Sequence, residues 1–228
     1  LIVLDNELFF RASDGVNGDE LWKSDGTPSG TVLVKNIRSG GLSSAIRNLT
    51  IFNGAVFFRA TNDGTGSELW VSDGTTEGTV LVKDINPGST ASNISELTIL
   101  GSHLYFVAMT ENEGRELWRS DGTNGGTEIV KDINSGPVGS NGTELTLFDN
   151  ALYFSANDGL SGVELWKSDG TFEGTVLVKD IWSGLGSAAV ANLNVVGSKL
   201  YFAASDGVSG FDLWSSDGSE LGTQLLKN

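Results

Sequence analysis

Glu20-Leu21-Trp22-Lys23-Ser24-Asp25-Gly26-Thr27 is the stretch on which the fold turns, because the chain repeats it. The same eight positions return at Glu68–Thr75, Glu116–Thr123 and Glu164–Thr171. They return with two changes at Asp212–Ser219, where Asp212 stands for Glu and Ser219 for Thr. Trp22, Trp70, Trp118, Trp166 and Trp214 are therefore spaced 48 residues apart. Self-similarity at such a period marks a modular architecture. The copies run 1–48, 49–96, 97–144, 145–192 and 193–228, the last one twelve residues short.

Outward from the tryptophan, every copy reads alike. A short apolar run such as Leu49-Thr50-Ile51-Phe52 comes first. A two-residue turn follows: Asp5-Asn6, Asn53-Gly54, Gly101-Ser102, Asp149-Asn150 or Gly197-Ser198. Such pairs tolerate the positive φ of tight hairpins. A second run leads to a loop rich in Asp and Gly, and the tryptophan run is the third. The Ser-Asp-Gly-Thr turn then leads to a fourth run such as Val176-Leu177-Val178-Lys179, and a linker of about a dozen residues closes the copy. No segment shows the 3.6-residue apolar period of an amphipathic helix. Four strands in an up-and-down meander, repeated every 48 residues, predict an all-β fold. It is a five-bladed β-propeller of four-stranded antiparallel blades, formed by residues 1–228 as a single domain. A β-solenoid or an open array is the alternative; solenoid strands pair with the next coil, whereas each strand here has a hairpin partner within its own copy.

The turn also predicts a register. If Ser24 faces Thr31, then Trp22 faces Leu33 and Glu20 faces Lys35. The same arithmetic pairs Glu68 with Lys83, Glu116 with Lys131, Glu164 with Lys179 and Asp212 with Lys227. Paired in this way the carboxylates are structural and not a catalytic or metal-binding ring. The repeated tryptophans likewise read as core, each burying on the order of 150–250 Å² between blades.

Composition narrows the function classes. A net charge of −15 argues against nucleic acid and anionic membrane surfaces. No apolar run approaches the length needed for membrane insertion as a helix. The absence of cysteine excludes disulfide and thiolate chemistry. A Cys-free, acidic repeat rich in Gly, Asp, Asn, Ser and Thr suits a bacterial secreted or cell-surface protein. The chain starts at Leu1 and its single methionine is Met109, which is expected of a processed product or an excerpt.

The octapeptide Glu20–Thr27 and its recurrences resemble the ELWxxDGT repeat family, over the whole chain. That resemblance implies a secreted or surface-associated bacterial protein without a defined enzymatic activity. The Ser-Asp-Gly-Thr turn is also loosely similar to the Asp-box of sialidase propellers. Asp25, Asp73, Asp121, Asp169 and Asp217 are accordingly assigned to scaffolding, each accepting hydrogen bonds from its own turn.

Function is then expected on the face that carries the second loops and the linkers, because these vary between copies. Asp14, Asp63, Asp158 and Asp206, with Glu111 and Glu113, make those loops acidic, and oxygen-rich loops suit Ca²⁺. No loop has the spacing of a known calcium motif. Trp182 replaces Arg38, Asn86 and Asn134 of the other linkers. It could stack on a sugar, dock a partner or cap its own linker. The lone His103 gives no support to a metal site or a triad. Three readings follow: a non-catalytic interaction or scaffold module with a protein or glycan partner, a lectin-like propeller with sites between blades, and a glycosidase- or lyase-type enzyme. The chain is expected to be a monomer or part of a larger surface assembly.

Overall fold

The computed structural model describes residues 1–227. Twenty strands and no helix occur among them. The first copy holds β1 (Ile2–Leu4), β2 (Glu7–Ser13), β3 (Asp19–Ser24) and β4 (Val32–Lys35). The second holds β5 (Arg47–Phe52), β6 (Ala55–Asn62), β7 (Gly66–Ser72) and β8 (Val80–Lys83). The third holds β9 (Ser95–Leu100), β10 (His103–Thr110), β11 (Gly114–Ser120) and β12 (Glu128–Lys131). The fourth holds β13 (Thr143–Phe148), β14 (Ala151–Asn157), β15 (Val163–Ser168) and β16 (Val176–Lys179). The fifth holds β17 (Ala191–Val196), β18 (Lys199–Ser205), β19 (Phe211–Ser216) and β20 (Gln224–Lys227). Each copy forms its own four-stranded sheet with strands in sequence order, and no sheet mixes strands of two copies. The all-β meander expected from the repeat is therefore present five times. By packing, the chain divides into two compact units, Leu1–Leu97 with Ser120–Thr127, and Thr98–Arg119 with residues 128 onward.

The turn chemistry explains the hairpins. Asp5 and Asn6 have φ of 49° and 65°, and Asp149 and Asn150 have 47° and 58°. These left-handed pairs let Leu4 face Glu7 and Phe148 face Ala151 across two-residue loops.

The third and fourth strands depart from the expected register at one point. Trp22 does face Leu33, and Ser24 Oγ meets Thr31 Oγ1 at 2.7 Å. Between Leu21 and Trp22, however, a bulge shifts the ladder, so Lys35 lies opposite Leu21 and not Glu20. The same bulge separates Leu69 from Trp70, Leu117 from Trp118, Leu165 from Trp166 and Leu213 from Trp214. The predicted Glu–Lys pairs do not form. One extra residue on a strand moves every later side chain to a new partner.

The freed lysines reach forward instead. Lys35 Nζ donates to the Thr79 carbonyl at 2.7 Å, and Lys83 donates to Thr127 at 2.7 Å. In the second compact unit Lys131 donates to Thr175 at 2.7 Å and Lys179 to Thr223 at 2.9 Å. Each ammonium thus fastens a fourth strand to the turn of the following copy.

Apolar packing joins copies in the same direction. In the first compact unit Phe9, Leu21 and Val34 pack with Phe58, Ala60 and Trp70. In the second, Tyr105, Leu117 and Val130 pack with Phe154, Ala156 and Trp166, and Tyr153, Leu165 and Val178 pack with Phe202, Ala204 and Trp214. Trp70, Trp166 and Trp214 serve as core against the preceding copy. Trp118 is also buried, and Trp22 is half-buried.

Candidate functional site

The Ser-Asp-Gly-Thr turn is closed by its own side chains. Asp169 Oδ1 accepts from the Thr171 amide at 2.9 Å and from Thr171 Oγ1 at 2.7 Å. Thr171 Oγ1 accepts from the Gly174 amide, and Ser168 Oγ accepts from the Gly170 amide. Thr175 Oγ1 donates to the Thr171 carbonyl at 2.6 Å, so the Ser168 hydroxyl must donate in the 2.7 Å contact between Ser168 and Thr175. Asp25, Asp73, Asp121 and Asp217 make the equivalent bonds to Thr27, Thr75, Thr123 and Ser219. Those bonds hold the Asp25, Asp73, Asp169 and Asp217 carboxyls below the usual carboxylate range. Gly170 has φ +92°, and a Cβ there would overlap the Tyr105 hydroxyl of the preceding copy. Both conformation and space therefore demand glycine.

The repeated glutamates are buried acceptors. Glu20, Glu68, Glu116 and Glu164 have no solvent exposure. Glu68 accepts from the Ile85 amide at 3.1 Å and the Ser92 amide at 2.9 Å. Glu164 accepts from Ile181, Trp182 and Ala188. Each carboxyl thus pins the start and the end of the linker that follows its sheet. Burial pushes all four carboxyls up, Glu68 and Glu164 to about 7, with Asp84 and Asp180 adding charge repulsion. The sequence reading sets these residues opposite lysines as structural ion pairs. The signal that could have found them is position: an interior strand packed on both sides leaves a carboxylate no water.

The second loops lie against the linkers of their own copies. A Cβ on Gly18 would overlap the Leu42 backbone, and one on Gly162 would overlap Gly186. The acidic residues expected in these loops cap them. Asp14 Oδ1 accepts from the Val16 and Asn17 amides, both at 2.8 Å. Asp158 Oδ1 does so from Leu160 and Ser161, and Asp206 Oδ1 from Val208 and Ser209. Asp63 instead accepts from Arg38 Nε at 2.7 Å. The amide bonds hold Asp14 and Asp206 below the ordinary range. Among the described residues no group of three or more His, Cys, Asp or Glu side chains is arranged to hold a metal ion.

One linker position bridges copies by different chemistry in three of the four linkers that lead to another copy. Arg38 pairs with Asp63, Asn134 lies against Gly159, and the Trp182 ring lies over both Gly186 and Gly207. Trp182 therefore caps the next copy's second loop as well as its own linker, and it keeps 39% of its surface exposed.

Around these bridges stand apolar tips. Val16 and Leu42 project in the first compact unit. In the second, Leu160, Leu185 and Val208 are 74%, 83% and 91% exposed, and Val138 is 70% exposed. These tips were not singled out from the sequence, because single aliphatics inside Asp- and Gly-rich loops read as turn filler.

The concave places lie elsewhere. A cavity of about 270 Å³ is lined by His103, Tyr105, Arg119 and Asp169, beside the tight turns. Arg119 there is bound to Glu128 at 2.5 Å and to the Gly170 carbonyl at 3.0 Å. A second cavity, about 360 Å³, is lined by Phe148, Asp149, Val195 and Asp217. In the first, Ser102 Oγ meets the neighbouring His103 Nδ1 at 3.2 Å on the exposed tight turn.

No protein-family model matches the chain, and no curated protein does. Among solved structures, a mutant puromycin hydrolase in complex with a ligand is similar at 15% identity with a TM-score of 0.58. That match covers 98% of this chain and 36% of the hydrolase. Oligopeptidase B from Leishmania major is similar at 13% identity with a TM-score of 0.55, over 96% of this chain and 31% of the peptidase. The chain thus spans about a third of the length of these structures, and the likeness is one of fold.

Proposed function

We propose that the five sheets are the blades of a β-propeller, and that the chain is a non-catalytic interaction module, secreted or displayed at a cell surface. Its working surface is the face of the second loops and linkers. The observation that carries this reading is the set of exposed aliphatic tips, Val138 and Leu185 on linkers and Leu160 and Val208 on second loops whose aspartates cap the loops' own amides. Apolar groups held out on a rigid base bind partners by burial; each such side chain contributes roughly 1.5–3 kcal/mol when covered. The repeated acids, lysines and tryptophans are occupied in structure, which supports placing the working surface on the variable loops.

The test is an immobilised-chain binding screen against purified envelope and extracellular proteins, run with Leu160→Asp/Val208→Asp and with Lys199→Ala on the opposite face. Binding that is lost in the loop variant and kept in the other supports the reading. Binding indifferent to the loop variant overturns it.

The exposed ring of Trp182 favours a lectin-like second reading, because a flat aromatic resting on two glycines presents a surface on which a sugar can stack. A glycan array with wild type and Trp182→Ala separates the two. Sugar binding abolished by the substitution favours the lectin, and an array without signal removes it.

A further inference from the structure

At their tight turns, the third and fourth copies enclose two hollows that share a wall. The first is the cavity of about 270 Å³ lined by His103, Tyr105 and Arg119. Its neighbour, about 370 Å³, is lined by Ala151, Tyr153, Lys167 and Val176. Asn150 and Asp169 line both, so the hollows meet across these two side chains. All of these residues belong to the second compact unit. The lining also breaks the repeat. Tyr153 faces Lys167 across the ladder, and Tyr105 and Arg119 hold the same positions one copy earlier. The first two copies have Phe9 and Phe57 for the tyrosine, and the fifth has Ser215 for the cation. Tyrosine and cation therefore coincide in the third and fourth copies alone.

The chemistry of the lining selects a ligand class. Arg119 and Lys167 donate to the Gly170 and Gly218 carbonyls at 3.0 and 2.9 Å, and Arg119 also binds Glu128. Asp169 spends Oδ1 on the Thr171 amide and hydroxyl, which leaves Oδ2 as an acceptor, and Asp149 lines the second hollow. An anion would meet two carboxylates, and a metal ion would meet two fixed cations. The amides of Gly170, Thr171 and Gly174 are bound within their own turn, which withholds the main chain from an extended peptide. Side-chain donors and acceptors remain in mixture, and that suits hydroxyl groups, which do both. Ala151 and Val176 add apolar surface for the C–H edges between them.

We propose that this double hollow binds a neutral oligosaccharide, with adjoining rings on either side of Asn150 and Asp169 and hydrogen-bonded to both. The site lies at the other end of the strands from the second loops and Trp182. It depends neither on a protein partner there nor on the Trp182 ring.

Nuclear magnetic resonance titration of the backbone amides tests it, with maltose, cellobiose, lactose and diacetylchitobiose as probes. Glucuronic acid, glucosamine and an uncharged tetrapeptide serve as the competing classes. At least one neutral disaccharide gives saturating shifts centred on residues 101–103, 149–151 and 168–171, and binds more tightly than the competitors. Asn150 has φ of 58°, so Asn150→Gly keeps the turn and removes the amide; it weakens binding about tenfold. Asp169→Asn keeps an acceptor for Thr171, loses the charged one, and weakens binding further. Asn6→Gly, the same change in the first copy, and Trp182→Ala leave binding unchanged. Unaltered spectra far from the turns confirm that the variants are folded, and the wild-type shift map stands without them. Coincident curves for wild type and Asn150→Gly overturn the proposal, as does a charged sugar or the peptide binding more tightly. A panel that moves no amide overturns it too. Shifts confined to the Trp182 indole and the second loops sink this site while favouring the lectin reading, so the two fail separately.

Discussion

Glu68→Gln separates two things that Glu68 does, and the separation can be calculated. Both carboxyl oxygens accept backbone amides, from Ile85 and from Ser92. A glutamine has one acceptor oxygen, so one amide must face an NH₂ group. An unmet buried amide costs about 1–3 kcal/mol, and that loss is present at every pH. The second effect is titration. The folded carboxyl titrates at about 7 and the unfolded one near its ordinary value of 4.5. Between those values the folded chain binds more protons than the unfolded chain, so stability falls as pH rises. The contribution of the neutral acid is whole below the unfolded value and is gone above about pH 7. At 1.36 kcal/mol per unit the swing is at most about 3 kcal/mol. Urea unfolding followed by tryptophan emission, from mildly acid to mildly alkaline buffer, reads both. The variant is expected to be weaker in acid, and its deficit is expected to shrink or reverse toward pH 8. Parallel profiles for wild type and variant would refute the reasoning, because they would show that the acid titrates alike in both states. Glu164→Gln should repeat the pattern.

Gly174→Ala places a methyl group on the Asp169 carboxyl and should cost about 1–3 kcal/mol in urea unfolding; combined with Asp169→Ala, the loss should be less than the sum. Lys131→Met removes the bond to Thr175 and the ammonium 4.7 Å above the Phe172 ring, and should lower stability by about 1–2 kcal/mol with an unchanged m-value. Ala189 holds φ at 47°, and Ala189→Gly should raise the unfolding midpoint by an amount equivalent to about 0.5–1 kcal/mol, since the left-handed strain exceeds the added chain entropy. A fall instead would mean that the methyl group packs.

The period, the strand count and the hairpins were legible because they depend on local chemistry: Asn and Gly at positive φ, and aromatics spaced by whole copies. The pairing of Trp22 with Leu33 was legible for the same reason, since Ser24 and Thr31 close the turn between them. Beyond Trp22 the reading failed. A bulge leaves no residue signature of its own here, and Leu21, Lys35 and Glu20 look equally at home in a regular ladder. The acid's true partners are amides of Ile85-type positions seventeen residues on, which no alternation pattern encodes. The loop aspartates were found as acidic loop residues, but their capping geometry depends on which amide each oxygen meets. Trp182 was noticed as the odd residue of its linker, and only the positions of Gly186 and Gly207 reveal what its ring covers.

The lysine that reaches from one fourth strand into the following turn has a genetic consequence. Its acceptor is a main-chain carbonyl in a turn that every copy builds, so any copy can serve as its neighbour. An in-frame duplication or loss of 48 codons then creates a junction already furnished with its bond and its apolar fit. Such a gene can lengthen or shorten by unequal crossing-over without compensating substitutions, and array length becomes a trait that selection can adjust quickly.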